Sequence, residues 1–169
     1  FDVAVGIKNP MNGSFSVLLN SIYAAQISNE FKYGEYQVRT SGNPFVHAIL
    51  RGSVDIYGNN LPNYHYEDVM RFDEMYRNQG LKFPAVIIDT NHSNSNKNAF
   101  EQIRIVKEVV GNRRHCDRFK SLVKGFLIES YIEDGNQSPD GNVYGKAITD
   151  ACLGWEKTER LIYDIAEKL

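Results

Sequence analysis

Short apolar runs recur along this chain, and five of them end in, or lead directly into, an ionisable residue. Buried strands of parallel sheets have this pattern, and side chains at their ends lie at the mouth of a sheet or barrel, where chemistry is usually done. The runs VAVGIK, VHAILR, VIIDTNH, GFLIES and KAITDA provide five candidate site residues, namely Lys8, Arg51, His92, Glu129 and Asp150.

The stretches between these runs carry apolar residues at helical spacing. The predicted strands are 2–8, 46–51, 83–89, 125–130 and 147–151, and the predicted helices are 14–26, 66–78, 100–110, 116–123 and 155–169. Gly111 is expected to end the third helix, and Trp155 and Leu169 to pack in the core. Residues 31–39 fit a surface loop or a short ribbon, and the polar segment 131–145 fits a long functional loop.

Strands that alternate with helices imply parallel pairing, because a parallel return needs a crossover connection. The sequence therefore predicts an α/β fold in one domain, 1–169, built from five successive strand–helix units. Five units are more than half of a (β/α)8 TIM barrel but not a whole one. We expect another segment or chain to cover the open edges and inner faces of such a piece.

Composition excludes some classes of function. The chain has 19 Lys and Arg against 21 Asp and Glu, and its net charge of -2 provides no basic excess for a general nucleic-acid surface. The apolar runs are too short to span a membrane, and the first residues lack the pattern of a signal peptide. We expect a soluble, cytoplasmic protein in which Cys116 and Cys152 are reduced thiols.

His92, Glu129 and Asp150 form the candidate metal site. Imidazole nitrogen and carboxylate oxygen suit Mn, Fe, Co or Zn ions, and three protein ligands leave positions open for substrate, water or another protein ligand. The alternative for each residue is ordinary: a histidine after an aspartate often forms structural hydrogen bonds, and a strand-end carboxylate is often solvated. The arrival of all three at one end of one sheet favours a metal.

Lys8 and Arg51 place positive charge at the same predicted rim. A planar guanidinium and a compact ammonium together suit a small anion such as a sugar phosphate or a phospho-enol acid. The alternative is that each cation forms a structural ion pair with Asp89 or Glu129. Lys97 fits either a hydrogen bond across the mouth or a solvated surface position.

The motifs resemble the type I 3-deoxy-D-arabino-heptulosonate 7-phosphate (DAHP) synthases along the whole length of the chain. The resemblance is carried by GIKN with Lys8, TSGN followed by HAILRG with Arg51, LPNY at 61–64, and IDTNHSNSNK with His92. IESYIEDGNQS with Glu129 and YGKAITDACLGWE with Asp150 complete the set. Each motif is weak alone, but the ordered set at the family's spacing is specific.

The resemblance implies a metal-dependent TIM barrel that joins phosphoenolpyruvate to erythrose 4-phosphate and releases phosphate, the first step of the shikimate pathway. It makes His92, Glu129 and Asp150 metal ligands, together with a cysteine, and it makes Lys8 and Arg51 binders of phosphoenolpyruvate. Lys8, Arg51 and Asp150 are then the expected catalytic residues. The chain corresponds to the carboxy-terminal half, approximately strands 4 to 8, of an enzyme that is expected to be a homo-oligomer.

Two departures from the family matter. Neither Cys116 nor Cys152 stands where the metal-binding cysteine belongs, and further basic substrate-binding residues belong to the missing amino-terminal half. We therefore expect these residues alone to be inactive. The rival hypothesis is a non-catalytic half-barrel that binds a phosphorylated ligand or a partner chain.

Overall fold

The computed structural model describes residues 3–168, so the predictions for Asp2 and Leu169 lie outside the described residues. The strands are β1 (Val5–Lys8), β2 (Glu30–Tyr33), β3 (Tyr36–Arg39), β4 (Val46–Leu50), β5 (Ser53–Val54), β6 (Asn60–Leu61), β7 (Val86–Asp89) and β8 (Val123–Leu127). The helices are α1 (Phe15–Gln26), α2 (Tyr66–Asn78), α3 (Glu101–His115), α4 (Asp117–Leu122) and α5 (Trp155–Ala166).

Four of these strands form one parallel sheet in the order β1-β4-β7-β8. Each crossover between neighbouring strands of this sheet contains a helix, as parallel pairing requires. The predicted α/β class is therefore confirmed, and the sheet is consistent with part of a TIM barrel. Within residues 3–168, no helix is both long and apolar enough to cross a membrane.

The main core lies between this sheet and its helices. Along β4 the buried residues Val46, Ala48 and Leu50 alternate with half-buried ones, as expected for a strand with one helix-covered face. The α1 face predicted from helical spacing is buried against the same core, and Phe15 meets Phe72 of α2 edge to face at 5.1 Å between ring centroids. This packing fixes the strand ends from which the candidate residues project.

The predicted strand 147–151 is wrong. Within it only Ala147 forms an isolated bridge, because side chains of the loop that precedes it bond to backbone groups that a regular strand would pair. The side chain of Asn136 donates to the backbone carbonyl of Thr149 at 2.8 Å, and the side chain of Gln137 donates to the backbone carbonyl of Lys146 at 2.8 Å. Among the described residues, the sheet therefore has four regular strands instead of five.

Three smaller corrections concern element ends. Helix α3 continues through Gly111 to His115, because its buried valines hold the helix in the core and outweigh a glycine penalty of about 1 kcal/mol. Strand β8 ends at Leu127, so Glu129 follows the strand. Trp155 is 55% exposed at the start of α5 and does not pack in the core.

Residues 31–39 form the short ribbon that was one of the two predicted alternatives. Strands β2 and β3 pair antiparallel around a turn at Gly34, and nearly all of their residues are exposed. The ribbon is separate from the parallel sheet and lies in the chain between the end of α1 and the start of β4.

Candidate active site

His92, Glu129 and Asp150 converge, although 58 positions separate the first from the last. One ligand atom from each of the three side chains lies within 4.8 Å of the other two. The His92 Nε2 and Glu129 Oε1 atoms are 3.6 Å apart. Ligands that share an ion at about 2.0–2.2 Å are about 3 Å from each other, so these donors match an N,O-coordinated divalent ion after small side-chain movements.

His92 owes its orientation to a tight turn at the end of β7. Residues His92–Asn94 form one turn of 3-10 helix, and His92 has a positive φ of 51°. Its Nδ1 atom lies 3.0 Å from Oδ2 and 3.1 Å from Oδ1 of the buried Asp89. The imidazole therefore turns Nε2, its other nitrogen, towards Glu129.

Two buried side chains hold Glu129. The carboxamide of Gln102 accepts a hydrogen bond from the backbone N–H of Glu129 at 2.9 Å and donates to its carbonyl at 3.0 Å. Asn91 donates to the Glu129 carboxylate at 2.6 Å. The α3 helix and the His92 turn therefore fix both the backbone and the side chain of this residue.

Asp150 approaches the cluster from the irregular segment that replaces the predicted last strand. The Lys97 ammonium lies 3.6 Å from Asp150 Oδ1, which is an ion pair and not the predicted hydrogen bond, and the Lys97 side chain stays 65% exposed, close to its other predicted role as a solvated lysine. Nearby Cys152 donates to the carbonyl of Asp150 at 3.5 Å. Burial raises the pKa of the Cys152 thiol, and the negative charges of Glu129 and Asp150 raise it further.

Lys8 forms the structural ion pair that was its alternative role. Its ammonium is 2.8 Å from Oδ2 of Asp89, the carboxylate that also contacts His92. Because the Lys8 side chain remains 36% exposed, it is still accessible from the strand-end side of the sheet. Asp89 therefore joins the candidate anion-binding residue to the candidate metal ligands.

Arg51 is positioned through its backbone. Asn9 accepts from the Arg51 N–H at 2.9 Å, and Asn63 accepts from the Gly52 N–H at 2.8 Å. Gly52 has a φ of +75°, and a Cβ there would lie 2.7 Å from the backbone nitrogen of Asn94, so only glycine fits this turn. In residues 3–168 the Arg51 guanidinium makes no salt bridge, and its NH2 group lies 3.3 Å from Met11 Sδ.

The buried amides were not singled out from the sequence as site residues. Asn9, Asn63 and Asn94 bond to one another and to the Arg51 turn, and Asn94 also donates to the carbonyl of Asp89 at 2.7 Å. They occur inside the motifs GIKN, LPNY and NHSNSN. Asparagine is common in exposed turns, so composition gave no sign that these three would be buried.

The fold and the site together define a class: a parallel α/β protein with a candidate metal-binding group and a lysine at the carboxyl ends of its strands. The sequence profile of the DAHP synthetase I family matches residues 1–162. A Tyr-sensitive phospho-2-dehydro-3-deoxyheptonate aldolase of Enterobacter agglomerans is 35% identical over 174 residues, which cover 98% of this chain and 77% of that protein. The chain belongs to the DAHP synthetase I family, as its motifs predicted.

Other relatives are longer. The chain is 36% identical to a Trp-sensitive phospho-2-dehydro-3-deoxyheptonate aldolase of Enterobacter agglomerans and 35% identical to a Haemophilus influenzae aldolase, covering 46% and 45% of them. The structure of a Francisella tularensis aldolase superposes with a TM-score of 0.84 at 26% identity, over 98% of this chain and 48% of that one. The chain thus spans about half the length of most of these relatives.

Proposed function

We propose that this chain is the carboxy-terminal part of a metal-dependent DAHP synthase, which condenses phosphoenolpyruvate with erythrose 4-phosphate and releases phosphate. The observation that carries the proposal is the convergence of His92, Glu129 and Asp150 beside Lys8, in a member of this family. Residues 1–169 would form one domain with barrel strands 4 to 8. The last of these would be the irregular segment around Asp150.

The proposed chemistry assigns a role to each group. Lys8 and Arg51 neutralise the phosphate and carboxylate charges of phosphoenolpyruvate, which lowers the repulsion between two anionic substrates. His92, Glu129 and Asp150 would hold a divalent ion, and such an ion would supply Lewis-acid polarisation of the aldehyde of the aldose phosphate. Asp150, the most exposed of the three side chains at 36%, would also take or deliver a proton in the same mouth.

The complete barrel is part of the proposal. Residues such as His47 and Ile49 of β4 are half-buried on the sheet face opposite the main core, and a barrel would enclose them. The family's metal-binding cysteine would come from the other half, because the described metal-binding group contains neither Cys116 nor Cys152. We therefore expect residues 1–169 alone to be inactive and the complete protein to be active.

The test is a kinetic comparison in the complete protein supplied with Mn²⁺, phosphoenolpyruvate and erythrose 4-phosphate. Arg51→Ala removes hydrogen bonds to a charged group that are worth about 1.5–3 kcal/mol, which corresponds to about a 10- to 150-fold rise in KM for phosphoenolpyruvate. The KM for erythrose 4-phosphate should change much less. Arg71→Ala is the matched control, since Arg71 lies on α2 and contacts Asp68 and the ring of Phe15.

Equal increases in the two KM values would contradict the role of Arg51. The rival hypothesis, a non-catalytic half-barrel for a phosphorylated ligand or partner chain, gives a different result in the same experiment. Phosphoenolpyruvate would then bind to the complete protein, but the wild type would release no phosphate when the aldose phosphate is added. The two outcomes separate an enzyme from a binding module.

A further inference from the structure

Asp89 is a buried carboxylate with three donors and no assigned role in the proposed reaction. It is 1% exposed at the end of β7. Its Oδ2 atom is 2.8 Å from the Lys8 ammonium, and both of its oxygens lie within 3.1 Å of His92 Nδ1. Its Oδ1 atom also accepts from the backbone N–H of Asn91 at 3.1 Å. The Asp89 side chain therefore contacts both a candidate metal ligand, His92, and a candidate substrate-binding lysine, Lys8.

This geometry selects one form of the His92 ring. The Asp89 carboxylate accepts from Lys8 at Oδ2 and from Asn91 at Oδ1 and has only acceptor capacity to offer to the imidazole, so Nδ1 carries the proton. The neutral ring then presents the lone pair of Nε2 towards Glu129, 3.6 Å away. A carboxylate behind a ligating histidine also fixes the plane of the ring.

We propose that Asp89 is a positioning residue shared by the two halves of the site. It orients His92 for the metal, and it restrains Lys8 by competing with the anionic substrate for the same ammonium. This inference rests on the proposed function, because it takes His92 as a ligand and Lys8 as an anion-binding residue. It predicts effects of opposite sign on metal and anion when the charge of Asp89 is removed.

Asp73 provides a matched control. It is also fully buried and also holds two cations, Arg77 at 2.9 Å and Arg118 at 2.5 Å, but it lies on α2 and contacts none of the candidate site residues. Asp73→Asn and Asp89→Asn each remove one buried negative charge and retain the side-chain shape. A general loss of structure would affect both variants in the same way.

The experiment uses the complete protein, with Mn²⁺ alone and phosphoenolpyruvate alone as probes in separate calorimetric titrations. In Asp89→Asn, the Kd for Mn²⁺ should rise about 10- to 100-fold, because the support of His92 is lost. The Kd for phosphoenolpyruvate in metal-free protein should fall about two- to fivefold, because Lys8 is released from a partly exposed ion pair. Asp73→Asn should change neither Kd by more than about twofold.

A second measurement needs no variant of Asp89. In ¹⁵N-histidine-labelled, metal-free wild type, the neutral His92 ring should carry its proton on Nδ1, with the signal assigned from its loss in His92→Gln. A proton on Nε2 would overturn the inference, as would an unchanged Mn²⁺ affinity or weakened binding of both probes in Asp89→Asn. Wild-type protein that binds no Mn²⁺ would instead refute the metal site itself, and the inference with it.

Discussion

Replacing Gln102 with leucine is expected to destabilise the protein, because this fully buried carboxamide holds the Glu129 segment. Its Oε1 atom accepts from the Glu129 N–H and from the Thr90 hydroxyl, both at 2.9 Å, and its Nε2 atom donates to the Glu129 carbonyl at 3.0 Å. Leucine has a similar size but offers no hydrogen bond. The substitution therefore removes three bonds without opening a large cavity.

The magnitude follows from what remains bonded. The Glu129 carbonyl still accepts from the Leu153 N–H at 3.0 Å, and the single proton of the Thr90 hydroxyl, which the wild type shares between Gln102 and the Leu127 carbonyl, goes to that carbonyl at 2.9 Å. The Glu129 N–H is left unpaired, which costs about 1–3 kcal/mol. We expect a loss of about 2–3 kcal/mol in the free energy of unfolding of the complete protein.

The assay is urea denaturation followed by far-UV circular dichroism. Gln79→Leu is the matched control, because Gln79 is exposed and its side chain donates to Asn20 on the surface at 3.0 Å. That control should change the free energy of unfolding by less than about 0.5 kcal/mol. If Gln102→Leu lost no more than the control, the role given to the buried carboxamide would be wrong.

Two further predictions concern the Arg51 turn and the thiols. Gly52→Ala combines a φ of +75° with a Cβ only 2.7 Å from the Asn94 nitrogen, so it should lower the free energy of unfolding by more than about 2 kcal/mol. The control Gly58→Ala has a φ of +85° in open space and should cost only the backbone strain of about 1–2 kcal/mol. Equal losses for the two variants in denaturation would contradict the close contact at Gly52. Cys116 should react with iodoacetamide faster than Cys152 near neutral pH. A hydrogen bond from a backbone N–H lowers the pKa of the Cys116 thiol, whereas burial raises the pKa of the Cys152 thiol. Equal rates of alkylation, measured by peptide mass spectrometry, would refute this prediction.

Local sequence signals predicted the elements that position most of the site. The spacing of apolar residues, and the polar residues at the ends of the apolar runs, predicted Lys8, Arg51 and His92 at the ends of parallel strands, and the structure has those strands. The same signals wrongly predicted a strand at 147–151. The side chains of Asn136 and Gln137 bond to backbone carbonyls in and beside this apolar run and replace regular strand pairing. Competition of this kind depends on side chains nine and thirteen positions away, which a periodicity pattern does not register.

The hydrogen bonds of the buried amides and the two contacts of Asp89 also could not be predicted from the pattern of apolar and polar residues. Asn9 meets Asn63 across 54 positions, and Lys8 meets Asp89 across 81. The sequence offered Asp89 as one of two ion-pair partners for Lys8 and Arg51, but it could not show that the same carboxylate also contacts His92. Long-range hydrogen bonds arise only after the sheet has set its register.

The most direct measurement is anomalous diffraction from crystals of the complete protein soaked in Mn²⁺. We predict one strong peak within about 2.5 Å of His92 Nε2 and of a carboxylate oxygen from both Glu129 and Asp150, a limit that allows for coordinate error beyond bond lengths of about 2.0–2.2 Å. A peak elsewhere in the Mn²⁺-soaked crystals, with none near these three side chains, would contradict the proposed metal centre.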